Sequence, residues 1–207
     1  MTMLRSDLAT IAALIPERAR VLDIGCGEGD LLHWLAQAKQ VDGRGIEINQ
    51  EQVYRAIARG IPVIQGDVTS DLQHYPDQSY DYVVLSQTLQ TMADPKSVLE
   101  QLVRIGKQAI VSVPNFGHWK NRLQLLLRGR MPVTRTLSYE WFDTPNIHFC
   151  TITDFVILAE RLGIIIEDRI VVDAAGERSR FTGHGFKANL LGEQGVFLLR
   201  KLVVTGS

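Results

Sequence analysis

The sequence predicts a doubly wound α/β domain, a mostly parallel seven-stranded sheet with helices on both faces. Three observations predict it. Short runs rich in Val and Ile alternate along the chain with helical segments, the order that gives parallel pairing through right-handed crossovers. The first apolar run, Val21-Leu22-Asp23-Ile24, passes into a helix through Gly25, Gly27 and Gly29. A chain of 207 residues with 45% hydrophobic content is long enough for one domain with a sizeable core. Residues 1–207 therefore read as a single domain.

Each element has its own signal. Leu8 to Leu14 reads as a helix with Leu8, Ile11 and Leu14 inward and Pro16 closing it. Val21 to Ile24 is the first strand, and the glycine turn leads to a helix opening at Asp30. Gly43 to Ile48 and Pro62 to Gln65 are the next strands. Between them a helix from Gln50 to Arg59 stops at Gly60, a residue suited to a left-handed terminus. Tyr80 to Leu85 is the fourth strand. Asp94 caps a helix with Pro95 in its first turn, running to Ile105. Pro114 stops the fifth strand, Gln108 to Val113. Thr153 and Asp154 open a helix to Leu162, Ile164 to about Val172 is the sixth strand, and Val196 to Val203 the seventh. Asp173 to Lys187, rich in Gly, Arg and Ser without periodicity, reads as a mobile loop.

The glycine turn also carries chemistry. Glycine lets backbone lie against a ligand with no Cβ between them, and the helix start beyond offers free N–H groups. A dinucleotide fingerprint would need a third glycine at position 30, where the chain has Asp30. The spacing Asp23-x-Gly25-x-Gly27-x-Gly29 resembles instead the first motif of class I S-adenosylmethionine-dependent methyltransferases. Further stretches follow in matching order. Glu47, followed by Ile48, ends the second strand roughly 20 residues on, where an acid takes both ribose hydroxyls of a nucleoside. Gly66-Asp67-Val68 resembles the family's acidic loop, which implies Asp67 on the exocyclic adenine amine and the Val68 N–H on a ring nitrogen. Ser86 and Gln87 begin the loop after the fourth strand. The resemblance implies S-adenosylmethionine or S-adenosylhomocysteine as ligand, a Rossmann-like class I methyltransferase fold and an antiparallel last strand. One departure is that Ser86-Gln87-Thr88-Leu89 lacks the Asn-Pro-Pro-Tyr form associated with methylation of a planar amide or base nitrogen.

Composition narrows the possibilities. A net charge of −1 argues against a broad nucleic-acid-binding face. No apolar run is long enough to span a bilayer, and the first residues lack the form of a signal peptide, so a cytoplasmic location is expected. Cys26 and Cys150 are the only cysteines, too few for a disulfide framework, and Cys26 reads as a small packing group in the turn. No His, Asp or Glu pair has metal-ligand spacing, so no metal is expected.

The least explained stretch is 115–150, an insertion or lid beyond the fifth strand at the carboxyl end of the sheet, where such folds bind ligands. It concentrates Asn115, His118, Trp119, Tyr139, Trp141, Asp143, Asn146 and His148. These residues suit a methyl-acceptor pocket or a partner surface, with His118 or His148 as candidate proton acceptors. The alternative is that the aromatics and Pro145 brace the insertion and the histidines are structural. Lys120, Arg122, Arg128, Arg130 and Arg135 overlap an amphipathic segment with Trp119, Leu123, Leu126 and Leu127 on one face. Such a helix either packs its leucines on the core as a lid or docks on a partner, a membrane or RNA.

A narrower resemblance rests on four segments. Val21 to Gly29, Ser112-Val113-Pro114-Asn115-Phe116-Gly117-His118-Trp119, Leu125 to Thr134 and Tyr139-Glu140-Trp141-Phe142-Asp143-Thr144-Pro145-Asn146-Ile147-His148 together resemble the bacterial methionine biosynthesis family MetW. That resemblance implies work alongside homoserine O-acyltransferase (MetX), without settling a reaction. Two hypotheses follow. One is a binding partner that senses S-adenosylmethionine or S-adenosylhomocysteine and needs no catalytic base. The other is a methyltransferase for a small molecule or protein, where alignment of an already activated sulfonium does most of the chemistry. A homo-oligomer is compatible with either.

Overall fold

The computed structural model describes residues 4–135 and 137–202. The strands are β1 (Arg20–Ile24), β2 (Asp42–Glu47), β3 (Val63–Gln65), β4 (Tyr80–Ser86), β5 (Gly106–Pro114), β6 (Ile164–Val172), β7 (Arg178–Arg180) and β8 (Gln194–Lys201). They form one sheet in the order β3-β2-β1-β4-β5-β8-β6-β7. The first five are parallel neighbours, and β8 runs antiparallel between β5 and β6. Chain order runs outward from β1 to β3, then returns to β4 on the other side of β1. The carboxyl ends of β1 and β4 therefore flank the switch point, the crevice where open α/β sheets bind ligands.

Alternation along the strands explains why helices cover both faces. Leu22, Ile24, Val83, Leu85, Ala109, Val111 and Val113 point to one face. There they meet α5 (Pro95–Ile105) and α7 (Ile152–Arg161) through Leu99, Leu102, Phe155 and Val156. Val21, Val84, Ile110 and Val196 point to the other, against α1 (Ser6–Leu14), α2 (Asp30–Lys39) and α3 (Gln50–Ala58) through Ile11, Leu31, Leu35 and Ala56. The Asp94 cap forms as expected, and Asn49 caps α3 in the same way. Asn49 accepts from Glu51 and Gln52 N–H, and Asp94 from Ser97 N–H.

Three local expectations differ. The segment expected to be a loop contains an eighth strand, β7, and a short helix, α8 (Phe186–Leu191). Asp173 folds the turn by accepting the N–H groups of Ala175 and Glu177, and this returns Arg178–Arg180 to the edge of β6. Three exposed residues and six helical ones are too few to display a period. α7 begins at Ile152, one residue before Thr153, with Thr151 as its cap in a reciprocal capping box with Asp154. The final strand begins two residues before Val196, at Gln194, and Val203 lies outside the described residues.

The helix in the insertion, α6 (Trp119–Arg128), does not pack its leucines on the core. Leu126 is 81% exposed and Leu127 72%. Its inward contacts are polar: Asn121 donates to the Phe116 carbonyl and Arg122 to that of Gly117. The leucine stripe therefore faces outward. After Val68–Asp71, a single turn designated α4, no further helix separates β3 from β4 except a short 3-10 turn at Leu72–His74. Among the described residues no helix is long and apolar enough to cross a membrane.

Gly45 on β2 has no room for a side chain, because a Cβ there would collide with Sγ of Cys26 in the glycine turn. We expect Gly45→Ala to destabilise the protein by about 1–3 kcal/mol, the usual cost of overpacking, and Cys26→Ala in the same chain to restore part of the loss. Urea unfolding of the two variants checks this, and an unaffected Gly45→Ala would show that the turn yields freely.

Candidate functional site

A cavity of about 950 Å³ opens at the switch point. One end is the glycine turn. Gly25, Gly27 and Gly29 have φ of 68°, 57° and 75°, a left-handed conformation that side chains disfavour. The turn bends back onto β2 through hydrogen bonds from the Gly25 and Cys26 N–H groups to the Ile46 carbonyl. Glu47 fixes it further. Its Oε2 accepts from the Gly27 N–H and its Oε1 from the Asn49 N–H, each at 2.9 Å.

Asp23 lies beneath this turn, 3% exposed. Burial pushes its carboxyl up from 3.8 to about 7; Arg5 opposes the change and the charge of Glu47 adds to it. Cys26, whose thiol is likewise pushed up by burial and by Asp23 and Glu47, is an inert packing group, not a nucleophile. Burial also pushes the Cys150 thiol up, to about 12.

The cavity brings together nine of the ten residues expected at the nucleoside end: Asp23, Gly25, Gly27, Glu47, Ile48, Asp67, Val68, Ser86 and Gln87 line it. Gly29 is the exception. It sits behind the wall, its α-carbon facing Ile61 and Ala56, and shapes the start of α2. Ile48 is 65% exposed although apolar. Asp67 caps α4 by accepting the Thr69 N–H at Oδ1. Val68 opens that turn, so its N–H is among those no helical carbonyl takes.

The insertion residues separate into three groups. Tyr139 and Asn146 line the cavity. Asn115 and His118 are buried and hold structure. The Asn115 amide donates to the carbonyls of Asn189 and Gly192 and accepts from the Gly117 N–H, and His118 Nδ1 caps α6 at the Lys120 N–H. Burial lowers the His118 pKa, partly offset by Glu193. Trp119, Arg128, Arg130, Trp141, Asp143 and His148 are exposed, outside the cavity lining. Neither candidate histidine thus borders the cavity. The His148 N–H instead joins that of Ile147 on the Gln90 carbonyl, tying the roof to the loop after β4.

Several residues at or just behind the wall carry no plain sequence signal. Asp7 on α1, behind the lining, is 1% exposed and accepts from Arg5, Ser86 and Gln87. Its position four residues before Ile11 on the buried helix face was the available clue. Gln90, Arg135, Glu193 and Gln194 border the cavity itself, and no motif marks them. Among the described residues no three His, Cys, Asp or Glu side chains group to hold a metal.

These features define the class: the fold is that of the S-adenosylmethionine-dependent methyltransferases. A Thermotoga maritima structure described as a possible histamine N-methyltransferase has a TM-score of 0.68 at 20% identity, covering 95% of this chain and 88% of that one. A Mesorhizobium loti S-adenosylmethionine-dependent methyltransferase has a TM-score of 0.66 at 18% identity, covering 95% and 98%. Within that class the chain belongs to the family described as methionine biosynthesis protein MetW, whose profile matches residues 5–199. It is 33% identical over 179 residues to the bifunctional methionine biosynthesis protein MetXA/MetW of Rhodopirellula baltica, covering 82% of this chain and 29% of that protein. It is 36% identical over 103 residues to the 27-O-demethylrifamycin SV methyltransferase of Amycolatopsis mediterranei, covering 46% and 38%. The chain thus spans well under half the length of either relative.

The state of Asp23 has a measurable consequence. The folded protein keeps a proton that the unfolded chain releases between pH 3.8 and about 7. The stability this contributes is full below 3.8 and is lost as pH rises through 7. The advantage of Asp23→Asn over the parent protein should grow across this range, by up to roughly 4 kcal/mol. Thermal melts at half-unit steps from pH 4 to 8 test it, and a constant difference would mean that Asp23 ionises normally.

Proposed function

We propose that this protein binds S-adenosylmethionine or S-adenosylhomocysteine at the glycine-turn end of its cavity and supports or regulates a homoserine O-acyltransferase. The observation that carries the reading is the fused relative, in which a sequence like this one shares a polypeptide with MetXA. Two segments joined in one chain meet at high effective concentration, an arrangement that favours units that work together.

The ligand assignment draws on the chemistry of the cavity. Glu47, held by two backbone N–H groups, keeps lone pairs for the ribose hydroxyls. Ile48 offers an apolar surface to an adenine ring. Asp67 retains Oδ2 for the exocyclic amine, and the Val68 N–H serves a ring nitrogen. A sulfonium or ammonium near Asp23 would favour its ionised form.

The partner surface we assign to the outer side of the insertion. Leu126, Leu127, Trp141 and Phe142 are all more than half exposed, beside Arg128 and Arg130. Exposed apolar groups with aromatic and arginine neighbours are typical of binding hot spots. A second reading, methyl transfer to an acceptor, is favoured by one observation: the cavity continues past the nucleoside end to Pro114, Tyr139 and Asn146. Alignment in that space, without a base, would suffice for an activated sulfonium.

Calorimetry should detect S-adenosylhomocysteine and no nicotinamide dinucleotide. Glu47→Gln should weaken binding about ten- to hundred-fold, since an amide cannot accept both N–H groups and a hydroxyl; losing a charged hydrogen bond costs about 1.5–3 kcal/mol. Asp67→Asn, which preserves the cap on α4, should weaken it less. Tight dinucleotide binding with no response to the sulfur ligand would overturn the assignment.

Co-expression with the acyltransferase should give a complex on size exclusion. Leu126→Asp, or Arg128→Glu with Arg130→Glu, should weaken that complex while leaving nucleoside affinity unchanged. If the complex persists and a measured methyl transfer disappears, the insertion serves an acceptor and the enzyme reading takes over.

A further inference from the structure

The far end of the cavity is chemically distinct from the nucleoside end. Its wall carries Gln90, Glu193 and Gln194, and its roof Arg135, Tyr139 and Asn146. Glu193 is 5% exposed, at the turn between α8 and β8. Its Oε2 pairs with Arg135 at 2.6 Å, across from the wall to the insertion, and that arginine side chain is 64% exposed. The Oε1 atoms of Gln90 and Gln194 are buried without a hydrogen-bond partner among the described residues; Gln90 as a whole is 6% exposed. Satisfied acceptors are the rule in buried positions, and an orphaned one calls for an explanation.

The same wall thus holds a carboxylate and two amide oxygens that lack donors. The group that suits it best is an ammonium, which has three donors and no acceptor. Beside it, the Arg135 guanidinium presents a planar fork matched to a carboxylate. A buried carboxylate held by one largely exposed partner is a poor source of stability, so the pair is better explained by what it recognises. A zwitterion inserted between the two charges replaces one ion pair with two and leaves the net charge unchanged.

We propose that this end of the cavity binds a free α-amino acid as its zwitterion, the ammonium on Glu193 and the glutamine oxygens, the carboxylate on Arg135. The site adjoins the proposed nucleoside end but uses none of its residues. Arg5 and Asp7, the charged pair at that end, are bonded to each other.

The test is calorimetry with L-methionine, L-homoserine and L-homocysteine, each titrated into free protein and into protein with S-adenosylhomocysteine. The controls are 3-(methylthio)propylamine, without the carboxylate, and 2-hydroxy-4-(methylthio)butanoate, without the amine. At least one amino acid should bind in both states, and each control at least about tenfold more weakly, the effect of one lost charge-assisted contact. Glu193→Gln and Arg135→Met should each weaken amino-acid binding about tenfold or more while leaving S-adenosylhomocysteine affinity and melting temperature unchanged. Arg135, exposed and outside the core, carries the test if the Glu193 variant does not fold. No binding at concentrations up to about 10 mM, binding indifferent to both substitutions, or competition with S-adenosylhomocysteine would each overturn the proposal. Amino-acid binding without nucleoside binding would support this site and remove the nucleoside reading instead.

Discussion

The carboxylate of Glu47 joins the turns that follow β1 and β2, on one side of the switch point. One oxygen takes the Gly27 N–H after β1, the other the Asn49 N–H before α3, each at 2.9 Å. Charge-assisted bonds of this type are among the stronger ones in proteins, and this carboxylate is buried, where the lower local dielectric strengthens them. Through them the start of α2, the cap of α3 and the end of β2 keep one relative position. The charge has a neighbour to disturb. Asp23, one strand away, is pushed up to about 7 by burial first, with the Glu47 charge adding to the effect.

The roof is built differently. Residues 129–150 contain no regular element among those described, and individual backbone and side-chain contacts hold them. The Gln90 carbonyl takes two N–H groups from Ile147 and His148, Arg135 reaches Glu193, and Leu137 is buried. Asn115 secures the base by binding the carbonyls at the end of α8 and the backbone at Gly117. A floor built on sheet and a roof held by isolated backbone and side-chain bonds fit the proposed reading, in which one ligand is positioned by the floor and the covering segment admits another. The outer side of the insertion carries the leucines of α6 and the aromatics Trp141 and Phe142, which the core does not use. For a methyltransferase fold within a methionine biosynthesis family, inner and outer surfaces of one insertion offer two separate places for specificity.

The sequence by itself determined the sheet, short of its edge strand β7, and the glycine-turn end of the cavity. Those features rest on local rules. Alternating apolar residues choose a face, proline and glycine stop elements, and a glycine spacing bends a turn that any matching chain bends alike. Asp23, Glu47 and Asp67 follow their strands at distances that chain order alone prescribes. Tertiary structure decided the remainder. Asn115 and His118 resembled pocket residues in a polar, aromatic stretch, yet both face inward, where their hydrogen bonds close the backbone of the insertion. The leucines of α6 show helical spacing, but spacing says only that they share a face, not whether that face meets core or solvent. Arg5, Gln90 and Glu193 come from segments separated by most of the chain and meet in one cavity only because the start of α1, the β4 loop and the α8–β8 turn converge there. No periodicity or motif records such convergence, since it depends on how the elements pack and not on the residues beside each in sequence.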